Sequence, residues 1–328
     1  MITRRRFSSL WSVGPAAALT TLLGSRSARA QAPWPTRPVT LVVPYAPGGN
    51  TDLLARTLAQ GLGARWGQTV NVENKPGAGT NIGAAQVARA APDGHTLFLA
   101  QSASHGINPT LYRSLPFDPI RDFAFVALLA ESTLFLVTGA QSPWRKVADI
   151  GAASRAGARL SYGSVGIGSA HHLAGQLLKT RLALDAEHVP YRGSAAVLQA
   201  LATGEVQYAF DATALAWVRD GRLRALAVAR PQRWPLAPEL PSMAEQGVAD
   251  FEVGGWFGLA APAATPRETL ARIAQDVAAV QARADWGARL TELGLAPLAG
   301  SGDAMRRHVE GEIRKYADLV RAAGATAD

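Results

Sequence analysis

The sequence contains no cysteine in 328 residues. This absence excludes disulfide bonds, cysteine-ligated metals, thiol catalysis and a lipid attached to an N-terminal cysteine. After residue 30 the sequence also lacks any run of lysine and arginine with interleaved aromatic residues, which is the usual indication of nucleic-acid binding. The first functional classes to be set aside are therefore thiol enzymes, lipoproteins and nucleic-acid-binding proteins.

The first thirty residues have the features of an export signal. Three arginines at 4–6 precede a short apolar stretch at 10–23, and Ala28-Arg29-Ala30 has the small-residue pattern that signal peptidase cleaves. The apolar stretch is interrupted by glycine and proline and is too short to span a membrane. Paired arginines followed by Phe7 resemble a twin-arginine signal, and an ordinary Sec signal fits equally. Either route predicts a periplasmic protein, soluble after cleavage of residues 1–30.

Most of the net positive charge lies in that leader. The whole sequence has 33 Lys+Arg and 25 Asp+Glu. Residues 1–30 contain five arginines and no acid, so 28 basic and 25 acidic residues remain, a net charge of +3. A charge this small gives no electrostatic argument for a nucleic-acid partner.

Short apolar strands alternate with amphipathic helices along the rest of the chain. Residues 39–43, 70–73 and 96–100 predict strands, and 51–66 and 81–90 predict the helices between them. This βαβαβ order predicts a parallel sheet with helices on both faces.

The same alternation restarts after residue 141 and predicts a second lobe. Strands are predicted at 160–162, 187–190, 206–210, 223–229 and 251–261, and helices at 171–181, 195–203, 265–282 and 303–323. We therefore predict a two-lobe α/β fold, with lobe 1 formed by 31–135 plus 255–328 and lobe 2 by 136–254. Crossover strands are predicted near 134–139 and 254–259, with a ligand cleft between the lobes.

A glycine-rich loop leads from the first strand of lobe 1 into its first helix. In this loop, residues 44–52, the prolines stiffen the backbone, and Gly48 and Gly49 let a ligand approach closely. Asn50 or Thr51 can cap the helix that follows. Unpaired N–H groups and the positive end of the helix dipole then predict an anion site at this edge of the sheet.

Loop 162–171 repeats this arrangement in lobe 2, where Ser164 and Ser169 add hydroxyl donors. Hydrogen bonds to a charged group contribute roughly 1.5–3 kcal/mol each. Two such clusters can reach the ~8 kcal/mol of a micromolar site without an arginine. A third segment, 74–83, has G-x-G-x-x-x-G spacing, one residue longer than the dinucleotide fingerprint, so no nucleotide cofactor is predicted.

Residues that could support catalysis or bind a metal lack the required spacing. His171 and His172 are adjacent and point in different directions on a helix, and no H-E-x-x-H motif or third ligand accompanies them. The residue two positions before Ser164 is tyrosine and that before Ser169 is isoleucine, so G-x-S-x-G fails at both. We predict no enzyme, no metal and no cofactor, with a hydrolase as the alternative. His171 is placed at a helix start near the cleft.

Several segments together resemble one known family. They are PYAPGGNTD at 44–52, ENKPGAG at 73–79, INPTLY at 107–112, LPFDP at 115–119, YGS at 162–164, YRGS at 191–194, GEV at 204–206, FD at 210–211 and GWFG at 255–258. The first is similar to the P-[FY]-A-P-G-G-x-x-D loop of the Bug family, extracytoplasmic receptors linked to tripartite tricarboxylate transporters. The resemblance spans essentially the whole mature chain. It implies a periplasmic-binding-protein type II fold that closes on a carboxylate.

The same resemblance implies a set of ligand-binding residues. These are Tyr45, Ala46, Gly49 and Asp52 in lobe 1, Ser164, Gly168 and Ser169 in lobe 2, and Asp211 near the cleft. Gly48 in the first glycine-rich loop and His171 at the helix start complete the predicted ligand-binding set. Asp52 equally fits a role at the helix dipole, and Asp211 a role in the turn after a strand. Tyr45 stands where Phe is commonest and adds a hydroxyl group.

The expected partners are a small organic carboxylate and the membrane permease subunits of a transporter. The chain is expected to be a monomer. A ligand-binding sensor for a membrane kinase is the alternative, which the residues do not separate from a transport receptor. Dicarboxylates, tricarboxylates, aromatic acids and acidic amino acids all suit the design.

Overall fold

The computed structural model describes residues 34–327, so the predicted export signal at 1–30 lies outside the described residues. The first part of the described chain contains β1 (Val39–Val43), α1 (Asn50–Trp66), β2 (Val70–Asn74), α2 (Asn81–Ala88), β3 (Thr96–Gln101), α3 (Asn108–Leu111) and β4 (Phe123–Thr133). The middle part contains β5 (Phe135–Gly139), α4 (Val147–Arg155), β6 (Leu160–Ser164), α5 (Ala170–Leu182), β7 (Ala186–Pro190), α6 (Ser194–Thr203), β8 (Tyr208–Asp211), α7 (Leu215–Arg219) and β9 (Leu223–Val228). The last part contains β10 (Gly254–Pro262), α8 (Arg267–Gln281), α9 (Trp286–Glu292), β11 (Ala296–Ser301) and α10 (Gly302–Ala322).

The strands form two separate sheets. The first has six strands in the order β11-β4-β10-β3-β1-β2, and the second has five in the order β7-β6-β8-β5-β9. Strand β1 pairs in parallel with β2 and β3, and β6 pairs in parallel with β7 and β8. The remaining pairs are antiparallel. The two-lobe α/β fold is confirmed, but each sheet is mixed rather than wholly parallel, because β10 and β11 in the first sheet and β5 in the second run opposite to the other strands.

The chain passes between the sheets twice. Only Leu134 separates β4 in the first sheet from β5 in the second, close to the first predicted crossing. The return takes place within 229–253, since β10 pairs with β3 and β4 along its length. The second change of sheet therefore occurs earlier in the chain than the sequence predicted.

Helix α10 packs against core residues of both sheets. Met305 and Val309 in its first half share a cluster with Phe125 of β4. Tyr316 and Val320 in its second half belong to another cluster, together with residues of β6 and β8. The sequence assigned this helix to lobe 1, whereas its second half also contacts the core beneath the second sheet.

The packing of β1 against α1 fixes the first glycine-rich loop. The leucines at 54, 58 and 62 recur every four residues, so they lie on one stripe of α1. They are fully buried in one cluster with Val39, Leu41 and Val43. The loop between the two elements is thereby held at the carboxyl end of the parallel strands, the usual position of ligand sites in open α/β sheets. No helix within 34–327 is both long enough and apolar enough to cross a membrane.

Candidate functional site

A cavity of about 630 Å³ is lined by residues of the first sheet and its loops and by loops that follow strands of the second sheet. On the side of the first sheet, Tyr45 follows β1, Thr51 lies in the first turn of α1, and Gln101 ends β3. On the side of the second sheet, the lining includes the loop 165–169 after β6 and His171 at the start of α5. The structure thus brings together loops that are far apart in the sequence. Of the predicted site residues, Tyr45, Gly168, Ser169 and His171 line this cavity.

Asp52 holds the first glycine-rich loop in place. Its Oδ2 accepts hydrogen bonds from Gly48 N and Arg56 Nε, both at 2.9 Å, and its Oδ1 accepts one from Asn74 Nδ2 at 2.9 Å. The side chain is only 2 % exposed. Burial raises the pKa of Asp52, but the hydrogen bonds outweigh it and the pKa lies below its ordinary value. The carboxylate that the sequence placed among the ligand contacts therefore has its partners within the protein.

Helix α1 begins without a side-chain cap. Its N-cap is Gly49, which has no side chain to accept a hydrogen bond. The expectation that Asn50 or Thr51 caps the helix is wrong: the Asn50 amide donates instead to Leu293 O at 2.8 Å, and Thr51 lies in the cavity wall. Gly48 has φ of 92°, a conformation that favours glycine. Ala46, Gly48 and Gly49 form the loop next to Tyr45 and are not among the described lining residues.

Ser164 supports the second glycine-rich loop from beneath. It is fully buried, and its Oγ donates to Gly166 O and accepts from Gly166 N, each at 3.1 Å. The same Oγ lies 2.7 Å from His188 Nε2. A serine beside a histidine is the pair that a hydrolase uses. This hydroxyl, however, is shared with the backbone and inaccessible, so its observed role is to fix the turn at Gly166.

His172 anchors the other end of that loop. Gly168 N donates to His172 Nδ1 at 3.1 Å, and Ser169 Oγ, the N-cap of α5, accepts from His172 N at 3.2 Å. The ring stacks on His188 with centroids 4.0 Å apart. Burial, reinforced by His188, lowers the pKa of His172 to about 4. The ring is therefore neutral at pH 7 and keeps Nδ1 available as an acceptor.

We expect His172→Leu to loosen loop 165–169, because Gly168 N loses its acceptor. A buried N–H without a partner costs about 1–3 kcal/mol, so amide exchange in this segment should accelerate about tenfold. Hydrogen exchange followed by mass spectrometry measures this. His172→Asn keeps an acceptor close to the position of Nδ1 and should retain most of the protection. Equal exchange in both variants and the wild type would show that the loop does not depend on this bond.

His171 and Asp211 meet behind the cavity wall. His171 Nε2 lies 3.5 Å from Asp211 Oδ2, and the two side chains are 19 % and 0 % exposed. Asp211 Oδ1 accepts from Thr213 N and Thr213 Oγ1 at 2.7 Å each, so it forms the turn after β8. Its Oδ2 has no hydrogen-bond partner among residues 34–327. Burial lowers the pKa of His171 in spite of the attraction of Asp211.

Two lining residues that the sequence did not single out have buried polar atoms without a partner. Gln101 is 4 % exposed; its Oε1 accepts from Ala103 N at 3.0 Å, and within the described part of the chain its Nε2 makes no hydrogen bond. The same holds for the Oγ1 of Thr80, which is 4 % exposed and has φ of 87°, a rare conformation for threonine. Since buried polar groups normally have partners, both atoms are candidates to bind a ligand.

The cavity carries hydrogen-bonding groups but almost no fixed charge. Among the lining residues that the structure describes, none is Lys, Arg, Asp or Glu. The same part of the chain contains no group of three or more His, Asp or Glu side chains placed to hold a metal ion. The polar side chains of the lining are Tyr45, Thr51, Thr80, Gln101, Ser102, Asn108, Tyr112, Ser132, Ser169 and His171. An anion in this cavity would be held by dipoles and hydrogen bonds.

The comparison of sequences identifies relatives along nearly the whole chain. The model of the tripartite tricarboxylate transporter family receptor matches residues 54–325. A UPF0065 protein from the tcbD-tcbE intergenic region of Pseudomonas sp. strain P51 is 35% identical over 311 residues, which cover 94% of this chain and 92% of that protein. Protein BugT of Bordetella pertussis is 32% identical over 301 residues, 89% of this chain and 91% of its own.

Solved structures with similar folds include two that carry a ligand. Rpa4515 of R. palustris with adipate is 37% identical, has a TM-score of 0.78, and is matched over 89% of this chain and 99% of its own. The periplasmic binding protein BugD is 32% identical, has a TM-score of 0.75, and is matched over 90% of this chain and 100% of its own. MatC from Rhodopseudomonas palustris with bound malate is 34% identical, has a TM-score of 0.74, and is matched over 87% of this chain and 99% of its own.

Proposed function

Because this chain belongs to the family of tripartite tricarboxylate transporter receptors, the Bug proteins, we propose that it captures a small organic carboxylate in the cavity between its two lobes. The closed, loaded form then delivers this ligand to the permease subunits of such a transporter. The protein acts in the periplasm, as a monomer, and without catalysing a reaction.

One observation carries this proposal: residues of the cavity wall contain buried donors whose hydrogen bonds are not used within the described chain. They include Gln101 Nε2 and Thr80 Oγ1, next to a helix α1 that lacks a side-chain cap. Each hydrogen bond to a charged ligand contributes roughly 1.5–3 kcal/mol. Three or four of them together contribute roughly 4.5–12 kcal/mol, a range that includes the ~8 kcal/mol of a micromolar site.

The solved relatives support the ligand class. Rpa4515 carries adipate and MatC carries malate, and both are organic dicarboxylates. A carboxylate in the cavity of this chain would lie between two sheets and at the ends of parallel strands. The buried position of Ser164 speaks against the hydrolase alternative.

We further propose two kinds of role for the residues of the site. Tyr45, Gly168, Ser169 and His171 line the cavity and contact the ligand, together with Gln101 and Thr80. The others, Ala46, Gly48, Gly49, Asp52, Ser164 and Asp211, position the loops. The lobes are 31–135 plus 255–328 and 136–254, a division supported by the strand content of the two sheets.

A thermal-shift screen against organic acids tests the proposed function. Binding to the folded state alone stabilises it by about 2.7 kcal/mol at a ligand concentration of 100 times Kd. For a chain of this size that corresponds to a rise in Tm of about 5 °C. We expect at least one mono- or dicarboxylate to produce such a shift. Shifts confined to sugars or metal cations would contradict the proposal.

Gln101→Glu links the expected shift to this cavity. The substitution keeps the Oε1 acceptor for Ala103 N but replaces the Nε2 donor with an oxygen, which repels a carboxylate. We expect affinity to fall by at least about 100-fold, roughly 2.7 kcal/mol. Gln246→Glu is the matched control, because Gln246 Oε1 accepts from Val147 N away from the cavity.

Thr80→Val, which replaces the hydroxyl with a methyl group, should weaken binding about tenfold. Unchanged affinity in both cavity variants would place the ligand elsewhere.

A further inference from the structure

Resting on the proposed function, we infer that the preferred ligand is a monocarboxylate with an apolar alkyl or aryl body, whose carboxylate faces the first sheet. Citrate and other acids with several charges are therefore poor ligands for this chain. The inference rests on the uneven distribution of apolar, unpaired and acidic groups around the cavity.

Large apolar side chains form much of the cavity wall. Ile167 projects from the loop after β6 and is 61 % exposed, an unusual state for an isoleucine. A ligand with an apolar body would cover it and remove its surface from water. The apolar lining residues with large side chains are Ile107, Leu111, Leu134, Val165, Ile167 and Phe257.

Among the lining residues, the side-chain donors without a partner in residues 34–327 lie on the side of the first sheet. Gln101 Nε2 and Thr80 Oγ1 are buried, and neither has a hydrogen-bond partner in residues 34–327. Gln101 ends β3, and Thr80 immediately precedes α2. Thr51, in the uncapped first turn of α1, lines the same side. A carboxylate on this side would offer acceptors to donors that otherwise remain without a partner.

The second sheet offers less to a second carboxylate. The first turn of α5 is capped by its own Ser169, and Gly168 N already donates to His172. Asp211 lies behind His171, with Oδ2 3.5 Å from Nε2 of that ring. A second carboxylate beside His171 would come close to the Asp211 carboxylate that this ring contacts, and the described lining contains no Lys or Arg to compensate the charge.

Four acids measured by isothermal titration at pH 7.5 test the inference. Hexanoate and adipate both have six carbons but carry one and two carboxylates, while phenylacetate and citrate extend the comparison to an aryl body and to three charges. We expect hexanoate and phenylacetate to bind at least about tenfold more tightly than adipate and citrate. Adipate or citrate binding as tightly as hexanoate would overturn this inference but leave the receptor function intact. Failure of every organic acid in the thermal-shift screen would contradict the proposed function itself.

Ile167→Ser tests the apolar contact separately. The side chain is exposed, so the substitution should leave Tm of the unliganded protein unchanged while weakening hexanoate binding about fivefold. Ile82→Ser is the matched control, because Ile82 is 52 % exposed but is not among the described lining residues. Equal effects of the two substitutions would overturn the assignment of the apolar body to this loop.

Discussion

Asp52→Ala should lower the free energy of unfolding by about 3 kcal/mol, and Tm by about 6 °C. The substitution removes a carboxylate that is almost fully buried and accepts hydrogen bonds from Gly48, Asn74 and Arg56. Gly48 N then loses its acceptor, and the Asn74 amide keeps only its hydrogen bond to Tyr45 O at 3.0 Å, which together cost more than the loss of a surface ion pair. Urea unfolding followed by circular dichroism measures the change.

Arg56→Ala is the control for this prediction. It breaks the same ion pair from the outside, where the arginine side chain is 51 % exposed. Exposed pairs contribute at most about 1 kcal/mol, so the control should cost a fraction of the Asp52 effect. Similar losses in the two variants would mean that the hydrogen bonds to Gly48 and Asn74 contribute little.

The effect of Asp52 should also depend on pH. The pKa of Asp52 is lowered in the folded protein, so the folded state binds a proton less readily than the unfolded state does. The stability that Asp52 contributes is therefore present above the unfolded pKa of about 3.9 and is lost as pH falls through the folded pKa. The difference in unfolding free energy between wild type and Asp52→Ala should shrink from pH 7 to pH 3.

Gly175→Ala should lower the free energy of unfolding by about 3 kcal/mol, although alanine favours a helix by about 1 kcal/mol over glycine. Gly175 lies within α5, and an added methyl group would overlap the ring of Tyr162. Tyr162 is 1 % exposed and stacks on His188 and Tyr208 with centroids 5.0 and 5.4 Å away. The ring therefore has no room to move aside. Thermal unfolding should show a loss of about 6 °C.

Gly311→Ala is the same chemical change but should raise the free energy of unfolding instead of lowering it. Gly311 lies within α10, and a methyl group there meets no atom within 4 Å. Only the gain in helix propensity remains, so the variant should be more stable by about 0.5–1 kcal/mol. Destabilisation by both substitutions, or by neither, would contradict the packing described for Tyr162.

Helices and strands could be predicted from the sequence where local signals agreed on one type of secondary structure. Helix α1 was predicted at 51–66 and found at Asn50–Trp66, because its leucine stripe and the glycine-rich loop before it point to the same structure. Strand β4 was not predicted. It forms a continuous apolar run that lacks alternation, and such runs do not distinguish a strand from a helix.

The positions of the two glycine-rich loops could also be predicted, but the direction of individual side chains could not. Asp52 and Ser164 look like ligand contacts in the sequence, yet each is buried and bonded to its own loop. Gln101 ends an apolar strand and gave no signal. Its proposed role depends on the fact that Ala103 N donates to its Oε1, while its Nε2 has no partner in the described chain. This difference between the two atoms of the amide is set by the folded backbone, so the sequence alone does not show it.

A cavity lined by dipoles instead of arginines has a consequence for how quickly cargo can leave. When the carboxylate dissociates, water can replace its hydrogen bonds one at a time. No buried cationic side chain loses its partner in the process. The barrier to dissociation is thus spread over several small steps. A carrier of this design can retain its cargo in dilute solution and still surrender it rapidly when the two halves are drawn apart.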